Sequence, residues 1–134
     1  MIMLQTLEEA QAAGIAPWSL EQIEWQDFHV VVFRDKYPVT KGHLLFVPVE
    51  NTPGLIREAF MSALHEGTRL VDEGLCDAYN VGINIGEAAG QTVMYPHVHL
   101  IPRRIGDSAD PVGGVRGVIL GQGNYKKTGY QTPA

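Results

Sequence analysis

At 134 residues, with 45% hydrophobic and 19% charged side chains, the chain is expected to form one globular domain with a modest core, not a disordered or fibrous protein. A single cysteine, Cys76, excludes an internal disulfide framework and any Cys-x-x-Cys metal site. The net charge of −5 divides into −8 over residues 1–90 and +3 over residues 91–134. Such an acidic body argues against nucleic acid as a partner but leaves room for a small anionic ligand near the basic C-terminal third.

No apolar run approaches the ~18–20 residues of a bilayer span. Glu8 and Glu9 also stand where a secretory leader would be basic and then apolar. A cytoplasmic protein without a membrane partner is therefore expected. Residues 6–13 have helix-forming composition, stopped by Gly14 and Pro17. LEQIEW and FHVVVF read as strands, residues 35–42 as a turn with Pro38 and Gly42, and HLLFVPV, from His43 to Val49, as a further strand.

Thr52-Pro53 reads as an N-cap followed by proline in the first helical turn. Apolar or small residues then recur at helical spacing: Ile56, Phe60, Ala63, Leu64, Gly67, Leu70 and Val71, with Gly74 as the stop. Tyr79, Val81, Ile83 and Ile85 alternate with Asn80, Gly82 and Asn84, the period of a half-buried strand. A last strand is expected over residues 92–102, and the glycine-rich stretch 106–134 reads as loop and tail. Strands joined by short turns, with one long helix over a face, make an α+β protein with a mainly antiparallel sheet.

The last strand carries the chemistry. Alternation puts Met94, Pro96, Val98 and Leu100 on one side and Tyr95, His97 and His99 on the other. Burying that polar row without partners would cost about 1–3 kcal/mol per group. Three readings of the row are open: a solvated pair of surface histidines, a metal site completed by His43, and metal-free catalysis.

GQTVMYPHVHLIPR, from Gly90 to Arg103, resembles the signature of the histidine triad superfamily of nucleotide hydrolases and transferases, Gly-Gln-x-Val-x-His-x-His-x-His. DKYPVTKGHLLFVP, from Asp35 to Pro48, resembles the family's second block. The resemblance spans roughly residues 20–105 of a single domain, 1–134, and DPVGGVRGVI, from Asp110 to Ile119, is similar to the tail of a bacterial branch. One departure stands out: Tyr95 occupies the position of the first triad histidine.

The resemblance implies a histidine triad fold of about five antiparallel strands with one long helix, and a homodimer. It implies His97 as nucleophile, attacking the α-phosphate of a nucleotide through a nucleotidyl-histidine intermediate, with His99, His43 and Tyr95 beside it in the catalytic set. Asp35 is placed at the ribose hydroxyls, Phe33 at the base, and Asn84, Gln91 and Thr92 at the phosphate or leaving group. No cofactor or metal is required by that mechanism. Dinucleoside polyphosphates and phosphoramidate-like nucleotides are the expected substrates. The alternatives are a nucleotide-binding module whose catalysis faded with the first histidine, and a metalloprotein using His43, His97 and His99. His29, His65, Trp18 and Trp25 read as incidental or packing residues.

Overall fold

The computed structural model describes residues 5–133. They divide into two compact units, one ending at Arg103 and one beginning at Arg104. In the first, helix α1 (Leu7–Ala12) starts at Thr6, whose side chain accepts from the Glu9 N–H. Five strands follow: β1 (Ile23–Gln26), β2 (Val30–Arg34), β3 (Leu44–Pro48), β4 (Ala78–Ile83) and β5 (Val98–Arg103). They form one sheet in the order β1-β2-β3-β5-β4, every pair antiparallel.

Helix α2 (Pro53–Asp72) connects β3 to β4. Thr52 caps it by accepting from Leu55 N–H, with proline in the first turn, as its sequence indicates. The expected five-stranded α+β architecture is the observed one.

Strand alternation sorts the side chains onto two faces. Val30, Val32, Leu44, Phe46, Val98 and Leu100 face α2 and pack on Ala59 and Ala63. Ala59, Ala63 and Gly67 recur every fourth residue, and all three are buried. A small-residue stripe of this kind lets the helix lie close to the sheet. Gly67 marks the closest approach, since a Cβ there would stand 2.6 Å from the Tyr79 ring. Leu64, expected within the apolar stripe, is instead 42% exposed. Contact with the sheet is narrow enough that the small residues fill it and Leu64 falls to the side.

The opposite face, carrying Val31, Phe33, Leu45 and Val47, is covered by Leu7 and Ala10 of α1 together with Ala16 and Trp18 from the segment after it. Two sequence expectations shorten in the structure. Leu20–Gln22 is a 3-10 turn preceding β1, not strand. The strand expected from residue 92 begins only at Val98, because pairing with β3 and β4 both ends at that residue, and Pro96 has no N–H to offer a ladder.

The second unit is organised by Arg116, whose guanidinium donates to the Gly123 and Gln122 carbonyls and lies 5.3 Å from the Tyr125 ring. Gly114–Val118 forms a short 3-10 segment in it. Among the described residues no helix is long and apolar enough to cross a membrane.

Candidate functional site

His97 immediately precedes β5, and its Nδ1 lies 2.8 Å from the Tyr95 carbonyl oxygen. A carbonyl can only accept, so Nδ1 carries the proton and Nε2 keeps a bare lone pair. Nε2 has no partner among the described residues. Since among the described residues no buried side-chain polar atom is left without a partner, Nε2 is one of the few atoms of this residue, 8% exposed overall, that reach the surface.

A second assignment begins at the turn between β2 and β3. There the Val39 N–H donates to His43 Nδ1 at 3.2 Å. A backbone amide can only donate, so the His43 proton is on Nε2. That atom faces His99 Nδ1 at 2.9 Å and Asp35 Oδ2 at 3.4 Å. His99 Nδ1 must therefore accept, and its own proton stands on Nε2. Thus one backbone amide and one carbonyl determine all three tautomers: His97 offers a lone pair, and His99 offers an N–H 5.2 Å away between ring centroids.

Burial lowers the pKa of all three histidines. For His43 and His97 desolvation is the main cause, opposed by the Asp35 charge and, for His97, by the Tyr95 carbonyl. His99 is pushed down to about 4 by desolvation and then by the two neighbouring imidazoles. All three rings are neutral at pH 7, which leaves the His97 lone pair available. The unfolded chain takes up the His99 proton near pH 6.5 and the folded chain only near 4. Between these values the unfolded state binds more protons, so stability falls as pH falls. We expect the melting temperature to decline from pH 6.5 to pH 4 and His99→Asn to flatten that decline. An equally steep decline in the variant would remove His99 as the source.

Tyr95 does not join this cluster through its side chain. The ring is fully buried with Leu7, Trp18, Phe33 and Val47, and the hydroxyl donates to the Pro48 carbonyl at 2.7 Å. Burial pushes the phenol pKa up, so the group stays protonated. Of the expected set, His43 meets His99. Tyr95→Phe should cost about 1–3 kcal/mol of stability in denaturant unfolding, because the buried Pro48 carbonyl loses its donor.

The remaining sequence-derived candidates separate. Asp35 is half-buried beside His43, and its other carboxylate oxygen accepts from the Tyr37 N–H at 2.8 Å, organising the turn. Phe33 is 1% exposed and lies beneath Trp18, with ring centroids 5.6 Å apart. Asn84, one residue beyond β4, is half-buried and makes no side-chain hydrogen bond among the described residues. Gln91 accepts from Gly86 N–H and donates to the Val93 carbonyl, stapling its own loop. Thr92 is exposed. His29 and His65 are exposed.

Two residues of the site were not singled out by sequence reasoning. Gly82 is the cross-strand partner of His99, and a Cβ there would meet nothing within 4 Å. The space beside His99 is therefore open, and a glycine inside an alternating strand was the available signal. Trp18 packs edge-on against His97 with ring centroids 5.1 Å apart, at 63°. Nothing in the sequence pattern marked it.

Among the described residues, Asp35, His43 and His99 are the group whose potential metal-ligating atoms converge, all within 4.8 Å. The tautomers do not suit an ion. A neutral histidine bound through Nε2 needs its proton on Nδ1, and at His43 that position already accepts from the Val39 N–H. The His99 Nδ1 lone pair is likewise taken up by His43. This donor set fits a hydrogen-bonded relay better than a metal centre.

The HIT domain family matches residues 21–106. An uncharacterized HIT-like protein of Methanocaldococcus jannaschii is 33% identical over 92 residues, covering 64% of this chain and 71% of the relative. A bis(5'-nucleosyl)-tetraphosphatase of Schizosaccharomyces pombe is 34% identical over 85 residues, covering 58% of this chain but only 47% of that enzyme. Among solved structures, a zinc-bound histidine triad family protein from Mycobacterium smegmatis is 30% identical with a TM-score of 0.62, over 75% of this chain and 76% of that one. Matching sequence blocks, the five-stranded sheet and the shared fold lead to one statement: this chain belongs to the HIT domain family.

Proposed function

We propose that the protein is a nucleotide hydrolase or nucleotidyltransferase acting at an α-phosphate through a nucleotidyl-His97 intermediate. The observation that carries this reading is the pair of assigned tautomers, a bare Nε2 on His97 beside an Nε2–H on His99. In the first step the His97 lone pair forms a bond to the α-phosphorus. The bond from phosphorus to the leaving atom, oxygen in a polyphosphate or nitrogen in a phosphoramidate, breaks and its electron pair departs with that atom, which takes up a proton from solvent where it leaves as an amine. As the ring becomes cationic, the Tyr95 carbonyl holds the Nδ1–H. His99 donates to an α-phosphate oxygen, stabilising charge at the phosphoryl centre without a metal. In the second step water attacks, the P–N bond breaks, and the pair returns to His97 Nε2 while a proton passes to solvent.

Asp35 accepts from the ribose hydroxyls with lone pairs not engaged by Tyr37, and Asn84 offers a free amide near the leaving group. Dinucleoside polyphosphates and phosphoramidate-like nucleotides are the substrate class, in keeping with the tetraphosphatase relative. A homodimer is part of the same reading, supported by β4, which lies at the edge of the sheet with one side unpaired by another strand.

A fluorogenic adenylate ester tests the proposal. The wild-type chain should hydrolyse it. Gly82→Val should lower kcat/KM by about 10–200-fold by filling the space next to His99, while a β-branched residue remains suited to the strand. Nucleotide binding without turnover would instead favour a binding module. Unchanged kinetics in Gly82→Val would remove the space over β4 from the site.

A further inference from the structure

His97 is useful as a nucleophile only in one ring orientation. Rotation of the imidazole by half a turn about its Cβ–Cγ bond exchanges Nδ1 with a carbon, breaks the bond to the Tyr95 carbonyl and releases the tautomer. A single hydrogen bond to a carbonyl gives only a modest net preference. Something else has to restrict the ring.

Trp18 is placed to do so. Its indole meets the imidazole edge-on at 5.1 Å, the geometry aromatic pairs favour. The indole is not a loose flap. Phe33 supports it at 5.6 Å, and the side-chain amide of Gln11 donates to the Trp18 carbonyl at 3.1 Å, tying it to α1. The segment between is bound as well, through Ile15 N–H and Ala16 N–H to the Ala10 carbonyl. Trp18 is 7% exposed and belongs to the same buried cluster as Tyr95, whose carbonyl holds the other side of the imidazole. Moreover, it lies outside residues 21–106, the part of the chain that matches the HIT domain family.

We propose that Trp18 is a positioning residue: a rigid wall, supplied by the segment preceding the family core, that holds the His97 ring in the orientation where Nδ1–H meets the Tyr95 carbonyl and Nε2 stays bare. The groups facing His97 are then Trp18, the Tyr95 carbonyl and the His99 ring, with the Asp35 charge acting from farther away. Trp18 needs no contact with substrate. Only the kinetic part of its test rests on the function proposed above.

The first measurement is independent of activity: the nitrogen-15 shifts of the His97 ring at pH 8 in the wild type, Trp18→Phe and Trp18→Ala. We expect a single Nδ1–H tautomer in the wild type and in Trp18→Phe, which keeps an aromatic edge, and a mixture of tautomers in Trp18→Ala. The second is turnover of the adenylate ester, where Trp18→Ala should lose about tenfold or more in kcat with little change in KM, and Trp18→Phe should restore most of it. If Trp18→Ala fails to fold, Trp18→Leu, apolar but without an aromatic edge, carries the same comparison. A variant that melts earlier yet keeps the pure tautomer and the wild-type kcat would overturn the proposal and leave Trp18 as packing. Should the wild type turn over no ester, the tautomer comparison still decides the role of Trp18.

Discussion

His97→Ala is expected to abolish hydrolysis of an adenylate ester, lowering kcat by roughly 10^4–10^6-fold, the scale on which loss of a nucleophile acts in enzymes that form covalent intermediates. The reason lies in the site's layout. His97 presents the unpartnered lone pair, whereas the exposed nitrogen of His99 carries a hydrogen and cannot attack. His43 is also unable to substitute, since its Nδ1 is occupied by Val39 N–H and its Nε2–H points at His99 and Asp35. On the proposed mechanism the deletion leaves no second nucleophile among the described residues, only the donors assigned to the phosphate. Nucleotide affinity, read by calorimetry, should change far less than kcat. A variant retaining a tenth of the wild-type rate would show that water attacks the phosphorus directly, and the covalent route would have to be given up.

Gly67→Val is expected to destabilise the fold through the closest helix–sheet contact. Valine at an ordinary helix position replaces a weak helix former and is mildly favourable or neutral. Here the added Cβ would meet three atoms of the Tyr79 ring at 2.6–2.7 Å. The ring has little freedom to retreat, because its hydroxyl bonds with Thr68 and the Leu64 carbonyl and its backbone belongs to the β4–β5 ladder. Either α2 lifts from the sheet or Tyr79 leaves its rotamer, and both loosen the layer formed by Ala59, Ala63 and Leu100. Overpacking of this kind costs about 1–3 kcal/mol. Denaturant unfolding checks it, and Gly67→Val at wild-type stability would mean that helix and sheet are not in the close contact described.

The two variants probe opposite faces of one sheet, and this division explains the arrangement of the protein. The face toward α2 is built mainly of apolar and small side chains, with the Tyr79 hydroxyl bonded to α2 at its edge, so it supplies burial. The other face is apolar over β2 and β3, under α1 and Trp18, and turns polar toward β5, where His97 and His99 stand beside Gly82. The same β-strands thus hold the imidazoles rigidly from behind while leaving their outer atoms accessible.

Much of this was determined locally along the chain. The capped helix after Thr52, the alternation in the strands and the Asp35–His43 turn each follow from residues close in sequence. Those neighbouring residues are enough to set a cap, a period or a turn. The HIT blocks placed His97 and His99 on one extended segment for the same reason, since alternation is a property of the strand itself. What could not be decided locally was how far each strand runs and what each side chain meets. β5 begins at Val98, where its pairing with both β3 and β4 ends. Tyr95 turns into the core because α1 covers it and the Pro48 carbonyl takes its hydroxyl. Trp18 meets His97 only because a segment some eighty residues earlier folds across the sheet. Even a tautomer depends on such a meeting: the His99 proton is assigned by His43, 56 residues earlier in the chain. Residue type and period are written in the sequence; contacts, and the proton positions that follow from them, exist only once the tertiary structure has formed.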